Sequence, residues 1–245
     1  SPLPPTSGDF IQSVQHYLTT PYVYFSIPTS ASSDSEITFD ASSSFSANGI
    51  VKYLWDFGDG TTTEEMIVKH KYDSPGRYTV TLTITDSTGK TSTKTQTIDV
   101  NPPKPTVDSI TADGTDLIIK GKSYPKTIVH LEVHSNPLSV QTDTNEKSEW
   151  TYKVADASNI LEKGDHTVLA KAVYVLEDKT ELTSESSKTY DFKVSVEDGK
   201  LKVEMGKTKT WKIVSFVLGG IIIIGLALLV LRRKRRGIRN SGAMG

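Results

Sequence analysis

The chain of 245 residues contains no cysteine. That excludes a disulfide-stapled scaffold, thiol catalysis and Cys-ligated zinc or iron–sulfur centres. An excess of one charge is lacking too. The 28 Lys and Arg nearly balance 29 Asp and Glu, which argues against a generic nucleic-acid binder. No Gly-x-Ser-x-Gly, Walker-type or dinucleotide-binding loop occurs, and the abundant serines have no histidine partner by motif. No catalytic residue and no enzyme activity are therefore expected. No Asn-x-Ser/Thr acceptor occurs in residues 1–212, which fits a prokaryotic source. A secretory leader is not visible, and the chain opens at Ser1 rather than Met.

What is present is unevenly laid out. The content of 36% hydrophobic and 23% charged residues suffices for packed cores. From Ile213 to Leu231 every residue is apolar, Gly, Ala or Ser. Nineteen residues at about 1.5 Å each reach roughly 28 Å, near the ~30 Å hydrocarbon core of a bilayer. Trp211 precedes the run as an interfacial aromatic, and Arg232, Arg233, Lys234, Arg235 and Arg236 follow it. With Arg239, the tail carries six cations and no acid, leaving 22 Lys and Arg against 29 Asp and Glu in residues 1–212. The expectation is a transmembrane helix over 213–231 in a single-pass cell-membrane protein, the N-terminal region outside and the basic tail 232–245 cytoplasmic. An outward-facing N-terminal region needs an export signal, which points to a removed leader or a longer parent chain. The last five residues, Ser-Gly-Ala-Met-Gly, read as a cloning remnant.

The first 21 residues read as a Pro/Ser-rich linker followed by a short amphipathic helix, capped by Asp9 and stopped by Pro21. Residues 22–100 alternate in short runs between turn signals, the pattern of an antiparallel sandwich. The expected strands are Tyr22–Ile27, Glu36–Asp40, Ile50–Asp56, Met66–Tyr72, Arg77–Thr85 and Thr91–Val100. Along the fifth, Tyr78, Val80, Leu82 and Ile84 alternate with Thr79, Thr81, Thr83 and Thr85, which marks a half-buried strand. Trp55-Asp56-Phe57-Gly58-Asp59-Gly60 supplies two bulky anchors, then residues that tolerate a tight turn whose amides the two aspartates can cap. This segment resembles the PKD (polycystic kidney disease) repeat. The likeness extends to Phe39-Asp40-Ala41-Ser42, His70-Lys71-Tyr72, Pro75-Gly76-Arg77-Tyr78-Thr79-Val80 and Thr85-Asp86. The resemblance implies an Ig-like sandwich used as a cell-surface spacer, adhesion or carbohydrate-associated module, without catalysis.

Asn101-Pro102-Pro103-Lys104-Pro105 reads as a stiff linker over 101–105. Beyond it, residues 106–196 again give short strands, with Gly121, Gly164 and Asp165 read as turn markers. Ser148-Glu149-Trp150-Thr151-Tyr152 and Lys163-Gly164-Asp165-His166-Thr167-Val168 resemble bacterial Ig-like repeats of surface adhesins. Residues 197–212 read as a charged juxtamembrane tether. The expected fold class is all-β, with two tandem Ig-like β-sandwiches plus one C-terminal transmembrane α-helix.

The five histidines are scattered. His130 and His134 invite a metal reading, but four residues of strand separate them by roughly 13 Å, too far for one ion. Calcium is the better metal candidate, through Asp34, Asp40, Asp56, Asp59 and Asp86, although aspartate is also the ordinary turn-former. No other cofactor is expected. The functional expectation is a membrane-anchored adhesion or spacer stalk, with the bilayer and a protein or glycan as partners and no nucleic acid. The alternatives are an accessory subunit of a larger membrane complex, and a glycan- or calcium-binding module with Tyr22, Tyr24 and Tyr53 as its platform.

Overall fold

The computed structural model describes residues 20–134, 138–206, 216–218 and 221–223. The chain divides into two compact units, Ser1–Gly206 and Lys207–Gly245.

The first unit is all-β and has two hydrophobic cores. The first core is built by β1 (Ser30–Ser32), β2 (Ile37–Asp40), β3 (Ile50–Asp56), β4 (Thr62–Thr63), β5 (Ile67–His70), β6 (Gly76–Asp86) and β7 (Thr91–Asn101). One sheet has the order β1-β7-β6-β3-β4, and the β2–β5 pair packs across it. β1 runs parallel to β7, with Ser30 opposite Asp99, whereas the other pairs are antiparallel. Alternation along β6 sends Val80, Leu82 and Ile84 into the core, each fully buried. Its threonines face outward and oppose those of β7, and the Thr83 and Thr93 hydroxyls meet at 3.0 Å. Trp55, Phe25 and Phe39 fill the space between the sheets, Phe25 edge-on to Trp55 at 5.0 Å between ring centroids.

The second core is built by β8 (Thr106–Asp113), β9 (Asp116–Lys122), β10 (Ile128–His134), β11 (Leu138–Asp143), β12 (Glu149–Val154), β13 (Gly164–Val175), β14 (Glu181–Thr183), β15 (Tyr190–Glu197) and β16 (Lys200–Met205). A sheet of order β11-β10-β13-β15-β16, with β14 on β13, packs across a β12-β9-β8 sheet. A single helical turn, α1 (Ala157–Ile160), follows β12. Gly121, read from the sequence as a turn marker, lies inside β9. A Cβ there would meet the Thr106 carbonyl at 1.9 Å and the Trp150 ring at 2.4 Å, so strand crowding rather than turn geometry demands glycine.

Three expectations change. Tyr22–Ile27 is not a strand; only Tyr22 forms a bridge, to Phe45. Lys200–Met205, assigned to the tether, is β16, and Leu201 is buried in the second core. The transmembrane helix is overturned: among the described residues no helix is long and apolar enough to cross a membrane. In the second unit the described backbone of that run is two antiparallel strands, β17 (Phe216–Leu218) and β18 (Ile221–Ile223). An unbroken apolar run carries no period of its own, and β-branched Val217 and Ile221 to Ile223 favour the extended backbone. Trp211, Arg232, Arg233, Lys234, Arg235 and Arg236 lie outside the described residues, as does the amphipathic helix expected before Pro21.

Candidate functional site

The turn after β3 holds the residues that the sequence singles out: Trp55 and Phe57 face inward, while Asp56, Gly58, Asp59 and Gly60 are exposed. Trp55 is fully buried, and its indole N–H donates to the Glu65 carbonyl at 3.0 Å. Gly58 adopts φ +79°, and a Cβ there would lie 2.6 Å from the Thr79 carbonyl. The Asp56 carboxylate accepts from the Gly58 amide at 2.9 Å, and Asp59 accepts from the Thr61 amide at 3.0 Å. The other Asp59 oxygen meets His70 Nε2 at 2.8 Å, while the His70 ring stacks on Phe57 at 4.0 Å. Burial pushes the Asp59 carboxyl upward, but the hydrogen bonds from Thr61 and His70 outweigh it and hold the group low. Tyr72 donates to the Phe57 carbonyl at 3.0 Å and stacks on Tyr78, whose hydroxyl donates to the Ser74 carbonyl. Burial pushes the Tyr72 phenol well above the ordinary tyrosine range and raises that of Tyr78. The motif is thus a packed aromatic and hydrogen-bonded plug.

The candidate calcium ligands are spread over separate turns. Asp40 caps the Ser42 amide, and Asp56 and Asp59 cap their own turn. Asp86 is buried and accepts from the Thr88 amide and hydroxyl, the Lys90 amide, Asn48 Nδ2 and the Ser46 hydroxyl. Those bonds, led by that of Thr88, lower its pKa to about 2. Among the described residues no three His, Asp or Glu side chains group to hold a metal ion. His130 and His134 sit on one face of β10, with Glu132 between them, 3.9 Å from His134.

The exposed surface holds a more informative cluster. Tyr22 and Phe45 are joined by two backbone hydrogen bonds of 2.6 and 2.9 Å, and the two residues are 61% and 65% exposed. Tyr24, 42% exposed, is pinned beside them, because the Ser44 hydroxyl accepts from its amide and donates to its carbonyl, each at 3.0 Å. Val23 and Phe25 turn into the core, so alternation throws the two tyrosines outward. Lys94 Nζ lies 4.8 Å over the Tyr24 ring and donates to the Phe25 carbonyl. Tyr53 is half-buried against the core and is not part of this surface. Phe45 was missed because Ser44-Phe45-Ser46 shows no alternation; its exposure follows from the bridge to Tyr22.

A cleft of about 450 Å³ lies beside the linker, lined by Ser30, Ser32, Asp34, Asn101, Lys104 and Glu185 among others. Lys104 pairs with Glu185 at 2.5 Å. Nearby, Arg77 makes a forked pair with Asp99 at 2.7 and 3.1 Å and approaches Asp178 at 3.9 Å. The Tyr124 hydroxyl donates to Ser74 Oγ at 3.0 Å.

Comparison with known proteins separates the parts. Residues 19–101 match the PKD domain family, and the first sandwich is a PKD domain. Collagenase ColA of Bacillus cereus is 31% identical over 166 residues, which cover 60% of this chain and 16% of that protein. A microbial collagenase of Vibrio alginolyticus is 49% identical over 63 residues, 25% of this chain and 8% of that protein. The solved PKD1 domain of the Vibrio cholerae metalloprotease PrtV is 38% identical, covering 33% of this chain and 96% of that one, with a TM-score of 0.30. The chain therefore spans under a fifth of either collagenase.

Proposed function

We propose that this region is a non-catalytic accessory segment that holds a larger secreted or surface protein against a collagen-type, triple-helical protein. The observation that carries this reading is the 166-residue likeness to Collagenase ColA, which is longer than the PKD match alone. That relative is named as a collagenase. Contact from a remote module raises the effective concentration of the catalytic part at its substrate. The second sandwich, Ig-like in layout, serves as spacer and partner module. The aromatic plug after β3 supports the same reading: its histidine and carboxylates are spent on packing and turn-capping rather than presented to a substrate.

Titration of the full chain over immobilised fibrillar collagen tests it, with heat-denatured collagen, cellulose and chitin in parallel. Saturable binding to the triple-helical form is expected. Absence of binding to fibrillar collagen overturns the reading. Measurable peptide-bond hydrolysis by the chain alone would overturn the non-catalytic part.

A further inference from the structure

We infer that Asn48-Gly49 is a site of spontaneous deamidation, guarded in the folded chain by Asp86, and that its conversion loosens the first sandwich. Asn48-Gly49 is the only Asn-Gly pair in the sequence. Glycine has no Cβ, so its amide nitrogen is the least hindered nucleophile that can follow an asparagine. The pair lies in the turn that leads into β3. Asn48 is exposed, and a Cβ on Gly49 would meet nothing within 4 Å, so water and hydroxide reach both residues.

The reaction uses only this chain and water. The Gly49 amide nitrogen gives its proton to hydroxide and attacks the Asn48 side-chain carbonyl carbon. A new C–N bond closes a succinimide ring, and the side-chain nitrogen takes up a proton and leaves as ammonia. Water then adds to either ring carbonyl and breaks one C–N bond, leaving aspartate or isoaspartate. Nothing is oxidised or reduced.

In the fold each reacting group is already engaged. The Gly49 N–H donates to the Ser46 carbonyl at 3.1 Å, which opposes loss of its proton. Asn48 Nδ2, the leaving nitrogen, donates to Asp86 Oδ2 at 3.2 Å. Asp86 is 1% exposed, and its negative charge disfavours a second anion in the same turn. The Ser87 hydroxyl donates to the Asn48 carbonyl at 2.6 Å, and the Ser87 amide donates to the Gly49 carbonyl at 3.1 Å. Ring closure draws Asn48 and Gly49 into one plane, and the two bonds from Ser87 resist it.

The same contacts make the product costly. Aspartate at position 48 puts an oxygen where Nδ2 stood, so a donor–acceptor pair becomes two opposed carboxylates, one of them buried. Asp86 also accepts from the Thr88 and Lys90 amides, so the disturbance passes to the turn between β6 and β7. Isoaspartate adds a backbone methylene as well, which displaces the carbonyls that Ser87 holds.

The test follows Asn48 in the full chain by peptide mapping and mass spectrometry, at mildly alkaline pH, in native buffer and in concentrated urea. Ammonia loss is expected in urea, and at least about tenfold more slowly in native buffer, where reaction awaits local opening. Asp86→Ala removes the guard, while Val80→Ala, in the same core, lowers stability without touching the turn. At equal distance below each variant's Tm, Asp86→Ala is expected to convert several-fold faster than Val80→Ala. Asn48→Asp reproduces one product and is expected to melt below Asn48→Ser, which loses the bond to Asp86 without gaining charge. No conversion in urea overturns the site. Equal rates in native buffer and urea, or an Asp86→Ala rate no higher than that of Val80→Ala, overturn the guard. An Asn48→Asp chain as stable as Asn48→Ser overturns the consequence.

Discussion

Asp86 is the residue on which most local structure converges. Five groups from two loops donate to its carboxylate, and the side chain has almost no contact with water. Those bonds favour the charged form, so the folded pKa of about 2 lies below the ~3.9 of an unfolded carboxylate. Its contribution is therefore complete above about pH 4 and fades as pH falls towards 2. Asp59 and Asp40, held low by their turn bonds, act in the same direction. Asp86→Ala is expected to lower Tm at neutral pH, and the gap from the parent is expected to narrow between about pH 4 and 2. Melting curves at a series of pH values check this, and parallel curves would refute it. The two glycines of the β3 turn make a second contrast. Both have positive φ, but a Cβ at Gly58 would strike the Thr79 carbonyl at 2.6 Å, whereas one at Gly60 meets nothing within 4 Å. Gly60→Ala should cost about 1 kcal/mol from backbone strain alone. Gly58→Ala should cost about 3 kcal/mol or more, since the β6 backbone must also shift. Denaturant unfolding of both variants measures the difference.

At the level of elements, β16 separates two views of Lys200–Met205. As part of a free tether, Leu201 would tolerate alanine within about 0.5 kcal/mol. As a strand residue it is 4% exposed in the second core, and its amide donates to the Gly114 carbonyl at 2.8 Å. Leu201→Ala is expected to cost about 2–4 kcal/mol by denaturant unfolding. The same strand illustrates what the sequence could and could not convey. β6 was legible because its alternating apolar and threonine residues sit on a half-buried sheet. The plug after β3 was legible because aromatic anchors and turn-formers are adjacent in the chain. β11, β14 and β16 were not, since these strands are short or lie at a sheet edge, where polar and charged side chains hide the period. The 213–231 run was misread for the opposite reason: unbroken apolarity has no period, and length alone was made to decide between helix and strand. Of the aromatic surface, Tyr22 and Tyr24 were visible by alternation. Phe45 was not, because its place depends on a bridge across 23 residues of sequence.

Across the first unit, the joint between its sandwiches combines a packed linker with weak polar contacts. Pro102 and Pro105 are buried, so the linker is seated rather than free. Around it lie the Lys104–Glu185 and Arg77–Asp178 pairs and the Tyr124–Ser74 hydrogen bond. Glu185 raises the Lys104 pKa, yet these charges are solvent-exposed, and such pairs contribute about 0–1 kcal/mol each. Salt at about 1 M shortens the screening length to ~3 Å and removes most of that. Seated prolines do not respond to salt. The orientation should therefore be held by the linker, with the ion pairs as trim. The absence of native cysteine allows a direct check, because Lys71→Cys and Asp198→Cys place one spin label on each sandwich without competing thiols. Raising salt from about 0.05 M to 1 M should broaden the distance distribution slightly and leave its mean in place. Pro102→Gly/Pro105→Gly should broaden it far more at either salt concentration, because glycine restores the freedom that proline removes. If salt alone broadened the distribution as much as the proline replacements do, the ion pairs would be the true clamp.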